Sequence, residues 1–216
     1  MKTLAILGAT GKVAKHAVRH ALDAGYKVNA LARSPENIGI EHDNLTTFQG
    51  DVGQPETLAP AIQGADLVLS CIGNRSKDKG VIIERGTQNI LDVMMQHNVK
   101  RMALISSVGV GDSSRQLGAL GIRGYIFGAM FFTMMNKLRK DLLGAENRAL
   151  ESDRDVVVVR PVELIEAPGT GTWTATDNKG KLGGKITRDD VGKFMVSLAE
   201  DTRYDNSAVS LGGALS

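Results

Sequence analysis

The stretch LAILGATGKVAKH, residues 4–16, decides the fold. It runs from small apolar residues through Gly8 and Gly11 into a basic, helix-prone segment, with Ala14 where a phosphate-binding turn carries its third glycine. That third position needs only a small residue so that helix and strand pack closely, and alanine is an accepted variant there. A glycine turn that follows a strand and opens a helix is the context that dinucleotide binding requires. The stretch therefore predicts that Gly8 allows the tight bend and that Gly11 admits a pyrophosphate at a helix N-terminus.

Short apolar runs alternate with amphipathic helical patterns along the rest of the chain. The predicted strands cover residues 3–8, 27–33, 45–50, 66–73, 101–107 and 155–161, followed by 171–177 and 207–213. The predicted helices cover residues 12–24, 55–62, 82–97, 136–152 and 187–200. This alternation predicts an α/β fold, a Rossmann-like doubly wound parallel sheet. Because the rhythm loosens after Pro161, we expect a small irregular substrate-side region at the C-terminal end of a single domain, 1–216.

The composition is that of an ordinary globular protein, with 42% hydrophobic and 23% charged residues. A net charge of +2, with the basic residues dispersed among acidic ones, argues against a nucleic-acid partner. The single cysteine, Cys71, excludes an internal disulfide framework and fits a reducing compartment. Since the opening apolar run breaks into glycines after a few residues, it does not read as a signal peptide, and a cytoplasmic location is expected.

One apolar stretch, LGALGIRGYIFGAMFFTMM at residues 117–135, has nearly the length of a membrane span. It also contains Gly124 and Gly128 at the spacing of a membrane dimerisation motif. Its one charge, Arg123, falls near the middle, where a bilayer makes it costly, and its four glycines make a poor soluble helix. We therefore expect a mobile flap over a pocket or a subunit interface, in a monomer or homodimer, and neither a membrane anchor nor a membrane partner.

The residues after the second predicted strand bear on which nicotinamide cofactor is bound. An acidic residue there binds the ribose hydroxyls of NAD, whereas an arginine accommodates the 2′-phosphate of NADP. This chain has Arg33 and Ser34 at that place, and Lys12 in the glycine turn adds a second positive charge. The alternative is that Arg33 is only a solvated loop residue. The pattern favours NADP(H).

These residues belong to a larger set of motifs that resembles the atypical short-chain dehydrogenases. The chain contains, in their order and spacing, GATGKVA, ARSPEN, GDVGQPETL, ADLVLSCIG, GTQNILD, VKRMALISSVGVGD, AENRALESD and VVVVRP. It is most similar to the NAD(P)H-binding NmrA-like and biliverdin-reductase-B/flavin-reductase branch. The resemblance runs over nearly the whole chain, least clearly through 112–135 and 165–186.

The resemblance implies a cofactor site drawn from six segments of the chain. Its residues would be Gly8, Thr10, Gly11, Lys12 and Val13 at the phosphates, Arg33 and Ser34 at the 2′-phosphate, Asp51 and Val52 at the adenine, Cys71, Ile72 and Gly73 along the ribose, and Ser106, Ser107, Pro161, Val162 and Glu163 at the nicotinamide. Some of these have purely structural alternatives. Asp51 could cap a turn, and Cys71 could be an inert core residue.

The catalytic pair of ordinary short-chain dehydrogenases, a tyrosine followed four residues later by lysine, does not occur. Tyr26 and Tyr204 lie in the wrong places, and Tyr125 is followed at the fourth position by Ala129. That argues against simple carbonyl or alcohol oxidoreduction. It leaves hydride transfer to a flavin, quinone or tetrapyrrole, which delocalises the incoming charge and can take its proton from solvent.

Two residues are candidates to assist such a transfer. Ser107, at the end of the fifth strand, could hydrogen-bond the acceptor. Alternatively, it could have a purely structural role, capping the backbone or filling space. Glu163 lies where biliverdin-reductase-like relatives have a histidine; a half-buried carboxyl with a raised pKa could donate a proton, or Glu163 could pair with Arg160.

No metal site is expected. His16 and His20 are spaced four residues apart on what reads as the solvated side of the first helix, with no third ligand evident.

Two functions remain open. One is an NADPH-dependent reductase of a small conjugated acceptor. The other is a non-catalytic NADP(H)-binding redox sensor that docks a partner, as NmrA-like regulators do.

Overall fold

Strands and helices alternate along the chain in the computed structural model, which describes residues 1–73, 82–119, 121–177 and 180–215, apart from the side chains of residues 119 and 123. The strands are β1 (Thr3–Leu7), β2 (Lys27–Ala32), β3 (Leu45–Gln49), β4 (Leu67–Ser70), β5 (Arg101–Ile105), β6 (Asp155–Pro161), β7 (Glu163–Ile165), β8 (Trp173–Thr176), β9 (Lys185–Thr187) and β10 (Ser207–Gly213). The α-helices are α1 (Lys12–Asp23), α2 (Ala59–Ile62), α3 (Ile83–Gln96), α4 (Gln116–Ala119), α5 (Gly121–Phe132), α6 (Asn136–Leu150) and α7 (Arg188–Ser197).

The main sheet has eight strands in the order β3-β2-β1-β4-β5-β6-β10-β8. All neighbouring pairs are parallel except β10 with β8, which is antiparallel. The first six positions have the strand order of a dinucleotide-binding sheet, in which the order of successive strands reverses between β1 and β4. The predicted Rossmann-like fold is therefore confirmed, with one antiparallel strand added at the edge.

The strands of this sheet are buried on both faces, as their continuous apolar runs predict. Residues 4–7 of β1 are fully buried, and β1 pairs with β2 and β4 so that Ile6 lies between Ala30 and Leu69. On one side, α1 presents the predicted apolar face and packs against α7. The approach is close, because a Cβ on Gly192 would lie 2.8 Å from the backbone nitrogen of Ala17.

Three local predictions need correction. The helix predicted over 55–62 divides into a 3-10 turn, Pro55–Thr57, and α2, because a continuous helix would place Pro60 in its interior. The region after Pro161, expected to be irregular, contains β7 and β9, which pair as a separate parallel two-stranded sheet.

The third correction concerns the two histidines of α1, which do not face open solvent. His16 Nδ1 and His20 Nε2 lie 2.9 and 2.8 Å from the same oxygen of Asp189, at the start of α7. Both imidazoles are about three-quarters buried between the two helices, so their contacts with Asp189 hold α1 against α7. Through the described ranges, no group of three or more His, Cys, Asp or Glu side chains is arranged to hold a metal ion.

The apolar stretch 117–135 contains the end of α4, all of α5 despite its glycines, and the turn before α6. Residue 120 and the side chain of Arg123 lie outside the described structure. The helix is tolerated because its glycine side packs inward: Gly124 is buried, and a Cβ on Gly128 would contact Leu117 at 3.4 Å. None of the helices in the described part of the chain is long and apolar enough to cross a bilayer.

Candidate active site

The turn between β1 and α1 has the geometry that its glycines predict. Gly8 adopts φ +76°, and its N–H donates to the Leu31 carbonyl at 2.9 Å. A Cβ at Gly8 would lie 3.0 Å from the Cys71 carbonyl oxygen, and one at Gly11 would lie 3.1 Å from the Gly8 carbonyl oxygen. Gly11 is the N-cap of α1 and has no side chain to cap the first turn, in which no acidic residue occurs. The turn therefore leaves backbone donors open to an anion at the positive end of the helix.

A cavity of about 810 Å³ opens beside this turn, along the carboxyl ends of the parallel strands. It is lined by every residue that the sequence analysis assigned to the site except Ser34: Gly8, Thr10, Gly11, Lys12, Val13, Arg33, Asp51, Val52, Cys71, Ile72, Gly73, Ser106, Ser107, Pro161, Val162 and Glu163. The fold thus brings six separate segments of the chain together at one place. Their individual roles stay predictions.

Ser34 lies in an adjoining polar pocket that shares Thr10 and Arg33 with the cavity. The remaining lining residues of this pocket are Lys15 and Asn37, which the sequence analysis missed. Lys15 sits one turn into α1, and its basic character was the only signal that pointed to it. Two cationic side chains therefore line a pocket of the kind that a 2′-phosphate requires.

Asp51 and Cys71 both border the cavity, and Asp51 also makes the turn-capping contact considered as its structural alternative. One carboxylate oxygen of Asp51 accepts the Gly53 N–H at 2.8 Å, so this side chain does cap a turn. Burial raises the pKa of the Cys71 thiol to about 12. The thiol therefore stays protonated at neutral pH and is no nucleophile.

Two serines follow β5 at the cavity wall. The hydroxyl of Ser107 donates to the Val108 carbonyl at 3.1 Å. The Ser106 hydroxyl oxygen is buried, and no hydrogen-bond partner for it occurs within the described residues. A buried polar group without a partner costs free energy, which a bound polar ligand would recover. Ser106 is therefore the better placed of the two to meet a cofactor amide.

Arg160 does not pair with Glu163, as one reading of the sequence allowed. Its guanidinium donates to both carboxylate oxygens of Glu146, at 3.0 and 2.7 Å, and also to Asp112. Only 4% of the Arg160 side chain and 1% of the Glu146 side chain are exposed. Because Asp112 follows β5, this buried network connects the loop that carries Ser106 to α6 and β6.

Glu163 lines the cavity, and its charged neighbour is a lysine of the paired strand β9. Its carboxylate is 54% exposed and lies 3.9 Å from the Lys185 ammonium, its neighbour across the β7–β9 pair. The pairing of β7 turns this side chain to solvent, which sequence spacing does not reveal. About half of the Glu163 side chain is thus buried, as expected, and its role as a proton donor stays a prediction.

The far end of the cavity is apolar and is formed partly by α5 and α6. Phe127, Met135, Leu138 and Leu142 line it, and the Phe127 ring stacks on that of Phe131 at 5.1 Å between centroids. Phe131 itself is buried in the core. The apolar stretch could be recognised in the sequence, but not which of its side chains face the cavity. The spacing of Leu138 and Leu142 on one face of α6 was the available signal.

Cationic side chains stand at the mouth of the cavity. Lys12 and Arg188 both contact the same carboxylate oxygen of Glu166, at 2.8 and 3.1 Å. The hydrogen bond from Lys12, with Arg188 nearby, lowers the pKa of Glu166. Arg188 is a lining residue that no sequence pattern indicated.

All three tyrosines are described, and none lines the cavity. Tyr26 donates to Glu200, Tyr204 packs against Phe194, and Tyr125 is 70% exposed on the outer side of α5. The structure thus offers no tyrosine for proton transfer at this cavity.

Comparisons with known proteins agree with this geometry. The chain matches, over residues 8–202, the sequence model of a protein family described as NAD(P)H-binding. It is 26% identical to an uncharacterized chloroplastic protein of Arabidopsis thaliana, over 94% of this chain and 74% of that one. It is 23% identical to Protein TIC 62, chloroplastic, of the same plant, over 94% of this chain and 34% of that one. It is 28% identical to the photosystem II assembly factor Ycf39 of Synechocystis, over only 47% of this chain and 32% of that one. With chloroplastic proteins among the relatives, the expected cytoplasmic location stays a prediction.

Solved structures share the fold over nearly the whole chain. A short-chain dehydrogenase/reductase of Veillonella parvula in complex with NADP has a TM-score of 0.79 at 18% identity, covering 98% of this chain and 94% of that one. ChuY of Escherichia coli O157:H7, described as an anaerobillin reductase, has a TM-score of 0.76 at 23% identity, covering 99% and 97%. At these identities the likeness is one of fold.

Proposed function

Because the chain belongs to the NAD(P)H-binding family whose model it matches over residues 8–202, we propose that it is an NADPH-dependent reductase that transfers a hydride to a small conjugated acceptor such as a flavin or a quinone. One observation carries the proposal: the same cavity joins the glycine turn at Gly8 and Gly11 to an apolar end beside Phe127. A ligand pocket that is mostly apolar, with a few polar groups at fixed places, is the usual form of a small-molecule site.

The residues present fit the cofactor. A Cβ at Gly8 or Gly11 would fill the cradle beside the first turn of α1, where backbone N–H groups and Lys12 would hold the pyrophosphate. Arg33 and Lys15 would hold the 2′-phosphate, and the buried Ser106 hydroxyl would gain a partner in the nicotinamide amide. When bound, the reduced nicotinamide supplies the hydride.

The chain's own contribution to the reaction is positioning and water exclusion. Phe127, Leu138 and Leu142 would hold a flat, apolar ring system against the cofactor end of the cavity and keep water from it. An acceptor that spreads the incoming charge over a conjugated system needs no tyrosine as proton donor, which fits a cavity that no tyrosine lines. Ser107 would hydrogen-bond the acceptor, and Glu163, at the exposed rim, would pass a proton inward from solvent.

The test is an NADPH oxidation assay against a panel of flavins, quinones and aldehydes. We expect turnover with members of the first two classes and none with aldehydes. NADPH binding without turnover across the panel would refute the reductase and favour the non-catalytic NADP(H) sensor.

The cofactor preference is tested separately by titrating NADPH and NADH into the wild type and Arg33→Ala. A charge-assisted contact to the 2′-phosphate contributes about 1.5–3 kcal/mol, so the variant should bind NADPH roughly ten- to a hundredfold more weakly and NADH as before. The matched control is Arg19→Ala, an exposed arginine of α1 that lines neither pocket. Equal wild-type affinities for the two cofactors would contradict the preference.

A further inference from the structure

The outer surface of α5 and of the turn after it is apolar and exposed. Its side chains are between 39% and 86% exposed: Ile122, Tyr125, Ile126, Met130, Phe132 and Met134. Most of them recur at helical spacing opposite the inward side of α5, which carries Gly124, Phe127 and Phe131. A helix that is apolar on all sides is ordinarily buried on all sides. Scattered exposed apolar residues are normal, but a contiguous set on one helix marks an interaction surface.

Basic residues accompany this surface. Between Asp112 and Asp141 the chain has five of them and no acidic residue: Arg115, Arg123, Lys137, Arg139 and Lys140. The guanidinium of Arg139 lies over the Phe132 ring, 4.7 Å from its centroid. This contact places the basic start of α6 against the apolar surface of α5. Lys137 and Lys140 are exposed beside it.

The acidic residues at either end of this segment are engaged within the protein. Asp112 pairs with Arg160, and buried Asp141 accepts the backbone N–H groups of residues 82–84 at the start of α3. The segment therefore presents apolar side chains and positive charge together.

We propose that this surface, α5 with the turn after it and the basic start of α6, binds peripherally to the face of an anionic lipid bilayer. An apolar helix face with adjoining lysines and arginines, lying in the plane of the interface, is how such helices bind anionic lipid. With Gly121–Phe132 as its bounds, α5 is too short to cross the bilayer and would lie on it.

Charge argues for lipid over a second copy of the chain. A twofold contact through this face would bury the same patch of both subunits, so two basic clusters and no acidic residue of residues 113–140 would enter one interface. Like charges facing each other across an interface are unfavourable, whereas anionic headgroups neutralise them. The proposal is independent of the proposed reaction.

The test measures co-sedimentation of the full chain with phosphatidylcholine vesicles with and without phosphatidylserine. We expect binding to the anionic vesicles that weakens as salt rises to about 1 M, where screening acts within about 3 Å. Lys137→Gln/Lys140→Gln should lower the partition coefficient about 30-fold, at about 1 kcal/mol for each charge near the surface. Ile122→Ser/Tyr125→Ser/Ile126→Ser should lower it at least about tenfold through the lost apolar area.

Matched controls lie at the amino ends of the parallel strands, away from α5. Lys27→Gln/Lys100→Gln removes two exposed lysines, and Met95→Ser removes an exposed methionine; both should bind vesicles as the wild type does. NADPH titration of every variant shows that the fold is intact, and it reports on the cofactor site separately from lipid binding. Failure of the wild type to bind anionic vesicles overturns the proposal. So does unchanged binding by either the lysine variant of α6 or the apolar variant of α5, or a dimer in analytical ultracentrifugation that these substitutions dissociate.

Discussion

Removal of one partner from the buried Arg160–Glu146 pair should destabilise the protein strongly, whereas removal of both should not. The two side chains form a bidentate pair at 3.0 and 2.7 Å and are 4% and 1% exposed, so neither can reach water when the other is lost. After Glu146→Leu, Arg160 keeps its hydrogen bond to Asp112, so that variant loses less. Arg160→Met leaves the buried Glu146 carboxylate uncompensated and costs about 3–5 kcal/mol. In a chain of this length that lowers Tm by roughly 6–20 °C, at about 2–4 °C for each kcal/mol.

The double replacement Glu146→Leu/Arg160→Met should recover most of that loss, because well-packed apolar residues of similar volume often replace a buried pair without cost. The third member, Asp112, does not oppose this recovery, since its side chain is 68% exposed and can return to water.

Urea and thermal unfolding followed by circular dichroism, for the wild type, both single variants and the double variant, measure the coupling directly. The surface control is Arg203→Ala, which breaks the pair with Asp201 in which Arg203 is 76% exposed; it should cost about 0–1 kcal/mol. If Arg160→Met costs no more than Arg203→Ala, or if the double variant is destabilised by the sum of the single ones, the reasoning is wrong.

Two further outcomes are expected. Gly11→Val should abolish NADPH binding in a protein that remains folded, because a Cβ there already approaches the Gly8 carbonyl to 3.1 Å and the larger side chain would occupy the phosphate site; retained binding in calorimetry would place the cofactor elsewhere. Burial by itself would raise the pKa of Asp190, but hydrogen bonds from Thr170, Thr187 and Gly171 outweigh burial and lower that pKa. The ionised Asp190 carboxylate therefore stabilises the fold above its unfolded pKa of about 3.9. This contribution is lost as the pH falls through the pKa of the folded state. The stability difference between the wild type and Asp190→Asn should therefore be about 1.5–3 kcal/mol at pH 7 and shrink below about pH 4, and a difference that stays constant from pH 7 to pH 3 would refute this assignment.

The sequence by itself determined the features that depend on residues close together along the chain. The turn at Gly8 and Gly11 could be predicted because a tight bend and a close approach each demand glycine at a fixed spacing from a strand and a helix. The placement of Arg33 at the cavity followed from the same logic, since strand order in this fold puts the end of β2 beside that turn.

Only the tertiary structure decided the partners of side chains that are distant along the chain. Arg160 pairs with Glu146 and Asp112, 14 and 48 residues away, and not with Glu163, which the β7–β9 pairing turns toward solvent. Both sides of α5 are apolar, so the sequence does not indicate which side is buried. Packing alone determines that Phe127 faces the cavity while Tyr125 faces outward. The physical reason is that periodicity reports which residues share a face, whereas burial and ion pairing depend on which other element packs against that face.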